Sequence, residues 1–88
     1  MLFNDTKGGR NVETFMKVYE ECLREAITSH PEEYRYGLDA IPGVLEKMRP
    51  AIYNGSYNKD SRAFRATCKK LGIKHTYSAI AHYITNHV

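Results

Sequence analysis

The chain has 88 residues, 42% of them hydrophobic, with thirteen Lys/Arg against ten Asp/Glu. That is one domain, folded rather than disordered, and near the lower size limit for a self-sufficient core, so a homodimer or higher homo-oligomer stays open. No run approaches the roughly 18 apolar residues of a membrane helix, and MLFNDTKGGR is too short and polar for a signal peptide. The expectation is a cytoplasmic protein with no membrane partner and with both cysteines reduced.

Residues 1–10 read as a flexible arm, because Gly8 and Gly9 precede the first helical pattern. Residues 11–88 read as a single helical domain. Asn11 is the expected N-cap of a first helix, with Glu13 in its first turn. Val12, Phe15, Met16, Tyr19, Cys22, Leu23 and Ala26 recur at helical spacing and end near Ser29. Glu20 and Arg24 make a favourable i,i+4 pair on the outer face. His30-Pro31-Glu32-Glu33 restarts a short helical turn that Gly37 stops. Asp39 is the expected cap of the next helix, whose apolar face holds Val44, Leu45, Met48 and Ile52. Pro50 is expected to kink or end that helix near Arg49, and Asn54-Gly55-Ser56 is a firm stop.

Asn58 or Asp60 is the expected cap of the following helix, with Phe64, Thr67, Cys68 and Leu71 inward. Gly72 suits a left-handed C′ position and Ile73 the hydrophobic contact after it. Thr76 caps the last helix, on which Tyr77, Ile80, Ala81, Ile84 and Val88 form the stripe. No strand pattern occurs. The fold class is all-α: a small bundle of four main helices plus a short helical turn.

Charge is divided unevenly along this order. Residues 1–44 hold five bases and eight acids, a net of −3; residues 45–88 hold eight and two, a net of +6. Six of those eight bases are Lys59, Arg62, Arg65, Lys69, Lys70 and Lys74. Residues 62–84 resemble a helix-turn-helix through Cys68, Leu71-Gly72-Ile73, Tyr77 and Ile80. The stretch departs from the common pattern in a turn about one residue short and in cysteine where alanine is usual. The helix that would read bases offers Ser78, Ala79, His82, Thr85 and Asn86, after Lys74 and His75, and carries no Arg, the most frequent base reader. The preceding helix carries the bases, which suits phosphate contact rather than sequence reading.

HPEEY, GSYNKDSRAF and ATCKKLGIKHTY resemble segments of small uncharacterised phage and prophage proteins. That resemblance implies an inhibitor of host defence, anti-CRISPR proteins included, or a minor regulator, in the host cytoplasm.

Other chemistry is thinly supported. Cys68, His75, His82 and His87 lack the spacing of a zinc site, and Glu32 and Glu33 are adjacent rather than facing. Cys22 and Cys68 sit on apolar stripes as buried thiols. Tyr53 and Tyr57, beside Asn-Gly-Ser and Lys59, are candidates for exposed recognition, whereas Tyr19, Tyr77 and Tyr83 suit the core edge. The sequence thus reads as a binding protein, not an enzyme, with no cofactor and no metal. The expected partner is nucleic acid, bound through Lys59, Arg62, Arg65, Lys69, Lys70, Lys74, His75, Ser78, His82, Tyr53 and Tyr57. The alternative is an acidic surface of a host protein docked by the same residues.

Overall fold

The computed structural model describes the backbone of residues 7–85 and the side chains of residues 11–85. Among these, four α-helices appear in chain order: α1 (Lys7–Ser29), α2 (Ile41–Asn54), α3 (Arg62–Leu71) and α4 (Tyr77–Thr85). A free-standing 3-10 turn, Pro31–Glu33, follows α1, and a second, Leu38–Ala40, runs directly into α2. No described residue is in a strand. The all-α expectation holds, and no helix among the described residues is long and apolar enough to cross a membrane.

Helix α1 is the mast of the bundle and spans about 34 Å at 1.5 Å per residue. It packs against α2, α3 and α4, most extensively against α3. Its stripe is the one the periodicity predicts: Val12, Phe15, Met16, Tyr19, Cys22, Leu23 and Ala26 are all buried, and Ile27 joins them. Ile41 and Ile52 of α2, Ala63, Phe64 and Cys68 of α3, and Ile80 and Ile84 of α4 complete one core. Phe64 sits at its centre. Its ring centroid lies 5.3 Å from that of Phe15 and 5.4 Å from that of Tyr19, while Tyr57 stacks on it at 4.5 Å and 8°. The buried Thr67 hydroxyl donates to the Ala63 carbonyl at 2.7 Å, so its burial leaves no polar group unsatisfied.

Several expected boundaries are corrected. Helix α1 starts at Lys7, so the part of the expected arm that is described, Lys7–Arg10, is helical; residues 1–6 lie outside the described residues. The glycine pair lowers helix propensity without forbidding the conformation. Asn11 is therefore an interior residue, and its side-chain amide donates to the Tyr83 carbonyl at 2.7 Å, tying α1 to α4. Asp39 falls in the 3-10 turn, and the N-cap of α2 is Ala40, which makes no side-chain capping bond. Pro50 does not end α2, which continues to Asn54. Proline removes one backbone donor, and burial of Ile52 one half-turn later holds the last turn on the core.

Ser61, not Asn58 or Asp60, caps α3: its hydroxyl accepts from the Phe64 N–H at 3.3 Å. Asn58 instead shapes the preceding turn by accepting from the Asp60 N–H at 3.1 Å. On α4, Ile80 and Ile84 are buried as expected, but Ala81 and Tyr77 are exposed and Tyr83 takes their place, its ring 6.3 Å from Phe15. Val88 lies outside the described residues.

The expected stops are observed. Gly55 and Gly72 have φ of 76° and 73°, the left-handed region where a Cβ is costly. At Gly72 the Ile73 N–H reaches back to the Cys68 carbonyl at 3.0 Å, closing α3 with Ile73 packed on the core. Thr76 caps α4 through Oγ1, which accepts from the Ala79 N–H at 3.1 Å.

Two outcomes test this account. Phe64→Ala should cost about 3–5 kcal/mol in denaturant unfolding, a large part of the stability of so small a domain. Gly72→Ala should cost about 1–2 kcal/mol, from the strain of a left-handed alanine. A Gly72→Ala protein as stable as the parent would contradict the conformation assigned there.

Candidate nucleic-acid interface

The six bases between Lys59 and Lys74 do not form one uniform patch. They divide by what each already touches. Arg62, at the start of α3, forms a two-pronged pair with Glu33 of the first 3-10 turn: Nε to Oε1 at 3.0 Å and Nη2 to Oε2 at 2.8 Å. A cation there opposes the helix dipole, and α3 has no acidic residue in its first turn; Glu33 supplies the missing negative charge. The Arg62 guanidinium in turn holds the Glu33 carboxyl below its usual range. Lys59 is half-buried, with its ammonium 3.1 Å from Asp60 and 5.6 Å from the centroid of the Tyr77 ring.

Arg65, Lys69, Lys70 and Lys74 are exposed, and none has an ion-pair partner among the described residues. Arg65 and Lys69 stand four residues apart and share the outer side of α3. Lys70 lies at the edge toward α1, in a hollow also lined by Glu21 and Glu25. Lys69 and Lys70 occupy the last turn of α3, where a cation also stabilises the helix itself.

The expected reading helix is exposed where predicted, at Ser78 and His82. These stand four apart on one side of α4. The Thr85 hydroxyl is bonded back to the Ala81 carbonyl at 2.9 Å, and Asn86 lies outside the described residues. His75 Nε2 is 3.6 Å from Asp60, so the loop before α3 and the turn before α4 meet at one carboxylate.

The tyrosines exchange their expected places. Tyr53 is 60% exposed, as a recognition residue should be. Tyr57 is half-buried against Phe64, and that burial pushes its hydroxyl pKa up. Tyr77, expected at the core edge, is 47% exposed. Its hydroxyl donates to the Tyr57 carbonyl at 3.2 Å. Sequence reasoning missed Tyr77 as a surface residue because it fits the apolar spacing of α4. The available signal was its position directly after the Thr76 cap, in the first turn of a helix, before the chain has turned its face to the core.

Cys68 and the histidines are not gathered. Both cysteines are buried and unpaired, and His75 and His82 are exposed; His87 lies outside the described residues. Burial pushes the Cys68 thiol up to about 11. Among the described residues, the donors close enough to share an ion are His30, Glu32 and Glu33, within 4.8 Å of one another. Arg62 already occupies Glu33, and both glutamates are exposed, which is an ordinary surface arrangement.

Compared with protein-family models, curated proteins and solved structures, the chain matches none of them.

The Glu33–Arg62 pair gives a pH dependence of defined sign. The folded carboxyl titrates below its ordinary value of 4.5. The pair's contribution is therefore fully present above that value and is lost as pH falls through the depressed one. Glu33→Gln should flatten the loss of stability with acid below pH 4.5 in urea unfolding; an unchanged slope would remove the pair from the account.

The thiols give a second outcome. Both cysteines should react with an aromatic disulfide reagent at pH 8 far more slowly in the native than in the denatured protein. Fast native labelling of Cys68 would contradict its burial.

Proposed function

We propose that this is a non-enzymatic binding protein that contacts the phosphate backbone of nucleic acid through Arg65, Lys69, Lys70 and Lys74. One observation carries the reading: these four cations are exposed on α3 and the turn after it, without ion-pair partners among the described residues. The two other bases of the segment, Lys59 and Arg62, are held by carboxylates of the chain itself. A group of free cations on one helix and its exit turn neutralises phosphates and releases counterions, which is the sequence-independent part of nucleic-acid affinity. Ser78 and His82 on α4 supply hydrogen-bonding groups but no arginine, so base selectivity is expected to be low.

Binding of a fluorescent duplex of random sequence should fall with salt at a log–log slope of about −3 to −4, as four phosphate contacts require. Affinity should then drop about a hundredfold between 50 and 200 mM salt. Lys69→Gln with Lys70→Gln should reduce that slope by about 2, with only a small loss of thermal stability from the two cations removed from the last turn of α3. No binding at low salt would overturn the reading.

A second reading draws on a different observation. Tyr36, Leu38 and Tyr53 are large apolar side chains exposed on and just before α2, and Tyr36 borders an apolar hollow with Val44 and Met48. Phosphate contact does not use such a surface. It suits an inhibitor of the phage type that docks on a host protein, with the free cations of α3 meeting an acidic partner surface. Its test is recovery of one stoichiometric acidic protein from bacterial lysate; recovery of DNA instead counts against it.

A further inference from the structure

The side chain that the phosphate-binding cations leave unexplained is Tyr77. A tyrosine exposed on a small domain is ordinary, but this one is exposed and immobilised together. Its hydroxyl is anchored on the Tyr57 carbonyl. The Tyr57 ring lies 5.3 Å away, tilted by 46°. Gly55 adjoins the other part of the loop side: a Cβ built there would stand 4.0 Å from Tyr77 Cδ1. Lys59, itself steadied by Asp60, places its ammonium over one face of the ring, 5.6 Å from the centroid, and holds that face in place. Lys74 and His75 precede Tyr77 in the turn, both exposed.

Holding the ring in advance has a consequence for binding. A free tyrosine loses rotamer freedom when a ligand stacks on it, whereas a ring already fixed by its neighbours loses little. Every nucleobase has a flat face to offer, and stacking does not depend on sequence. In a duplex those faces are covered by neighbouring bases; in a single strand they are free. Lys74, three residues before the ring and exposed without an ion pair among the described residues, would hold an adjoining phosphate.

We propose that the exposed side of the Tyr77 ring, with Lys74 in the turn before it, is a stacking platform for an unpaired base, so that the nucleic acid bound is single-stranded. This rests on the phosphate-contact reading above and narrows it.

The test compares wild-type protein on three fluorescent probes of equal phosphate number: an oligothymidylate, the same phosphodiester chain without bases, and a duplex. The oligothymidylate should bind about tenfold more tightly than the abasic strand, the size expected for one stacked base, and more tightly than the duplex. Tyr77→Leu should remove that preference while leaving abasic and duplex affinity unchanged, and Tyr77→Phe should keep most of it, since the ring remains, losing only the part owed to the hydroxyl anchor on Tyr57. Equal binding of oligothymidylate and abasic strand overturns the stacking platform alone and leaves phosphate contact standing. A Tyr77→Leu protein that loses affinity for all three probes assigns Tyr77 to holding its loop, and overturns the proposal too. Binding of none of them overturns both.

Discussion

The structure depends on the packing around Phe64. This ring lies between Phe15 and Tyr19 of α1 and the Tyr57 ring of the loop before α3. Offset and tilted aromatic pairs of this kind contribute about 0.5–1.5 kcal/mol each beyond their buried area. More important is what they fix. The contacts seat α3 on α1, the most extensive helix pairing in the bundle. They also clamp the connecting loop, because Tyr57 covers Phe64 while its carbonyl receives the Tyr77 hydroxyl. Placement of the basic side of α3, and of the start of α4, follows from that one buried ring.

Charge then sorts itself around the frame. The core-facing stripes leave only the outer sides of the helices for polar groups, and the chain spends part of its charge on holding its own parts together. Arg49 of α2 grips Glu13 of α1 at 2.6 Å, and Arg62 grips Glu33. Both pairs join segments distant in sequence. Exposed pairs of this sort are individually weak, but each removes a cation from the surface that a ligand meets. Among the described residues Lys17, Arg35, Lys47, Arg65, Lys69, Lys70 and Lys74 stay exposed without an ion pair, and the last four follow one another along α3 and its exit turn. The charge imbalance between the two halves of the sequence is thus a poorer guide to a binding surface than the list of bases that lack internal partners.

The core was legible because burial imposes a period. The stripe from Val12 to Ala26, the inward set Phe64, Thr67 and Cys68, and the pair Ile80 and Ile84 follow from helical spacing alone. The glycine stops at Gly55 and Gly72 were legible for a related reason, since few residues accept a positive φ. Caps were less so. Asn11, Asp39, Asn58, Asp60 and Ser61 are all competent by residue type, and selection among them is tertiary: α1 extends through Gly8 and Gly9, and only Ser61 precedes α3 at the right distance from Phe64. That α2 runs past Pro50 to Asn54 was not legible, because local propensity does not weigh how firmly a buried Ile52 holds the last turn. In the candidate interface, exposure of Arg65, Lys69, Lys70, Ser78 and His82 was readable from the helical period. The capture of Arg62 by Glu33, twenty-nine residues away, was not, and neither was the exchange of roles between Tyr57 and Tyr77.

The bond from the Asn11 amide to the Tyr83 carbonyl spans 72 residues. It shows how late in synthesis this core can close. Helix α1 leaves the ribosome before α2, α3 and α4, with a stripe that begins at Val12, yet its partners Phe64, Ile80 and Ile84 come from the later part of the chain. Until they emerge, only α2, through Ile41 and Ile52, can cover part of that stripe. The core is therefore complete only after translation has passed Ile84.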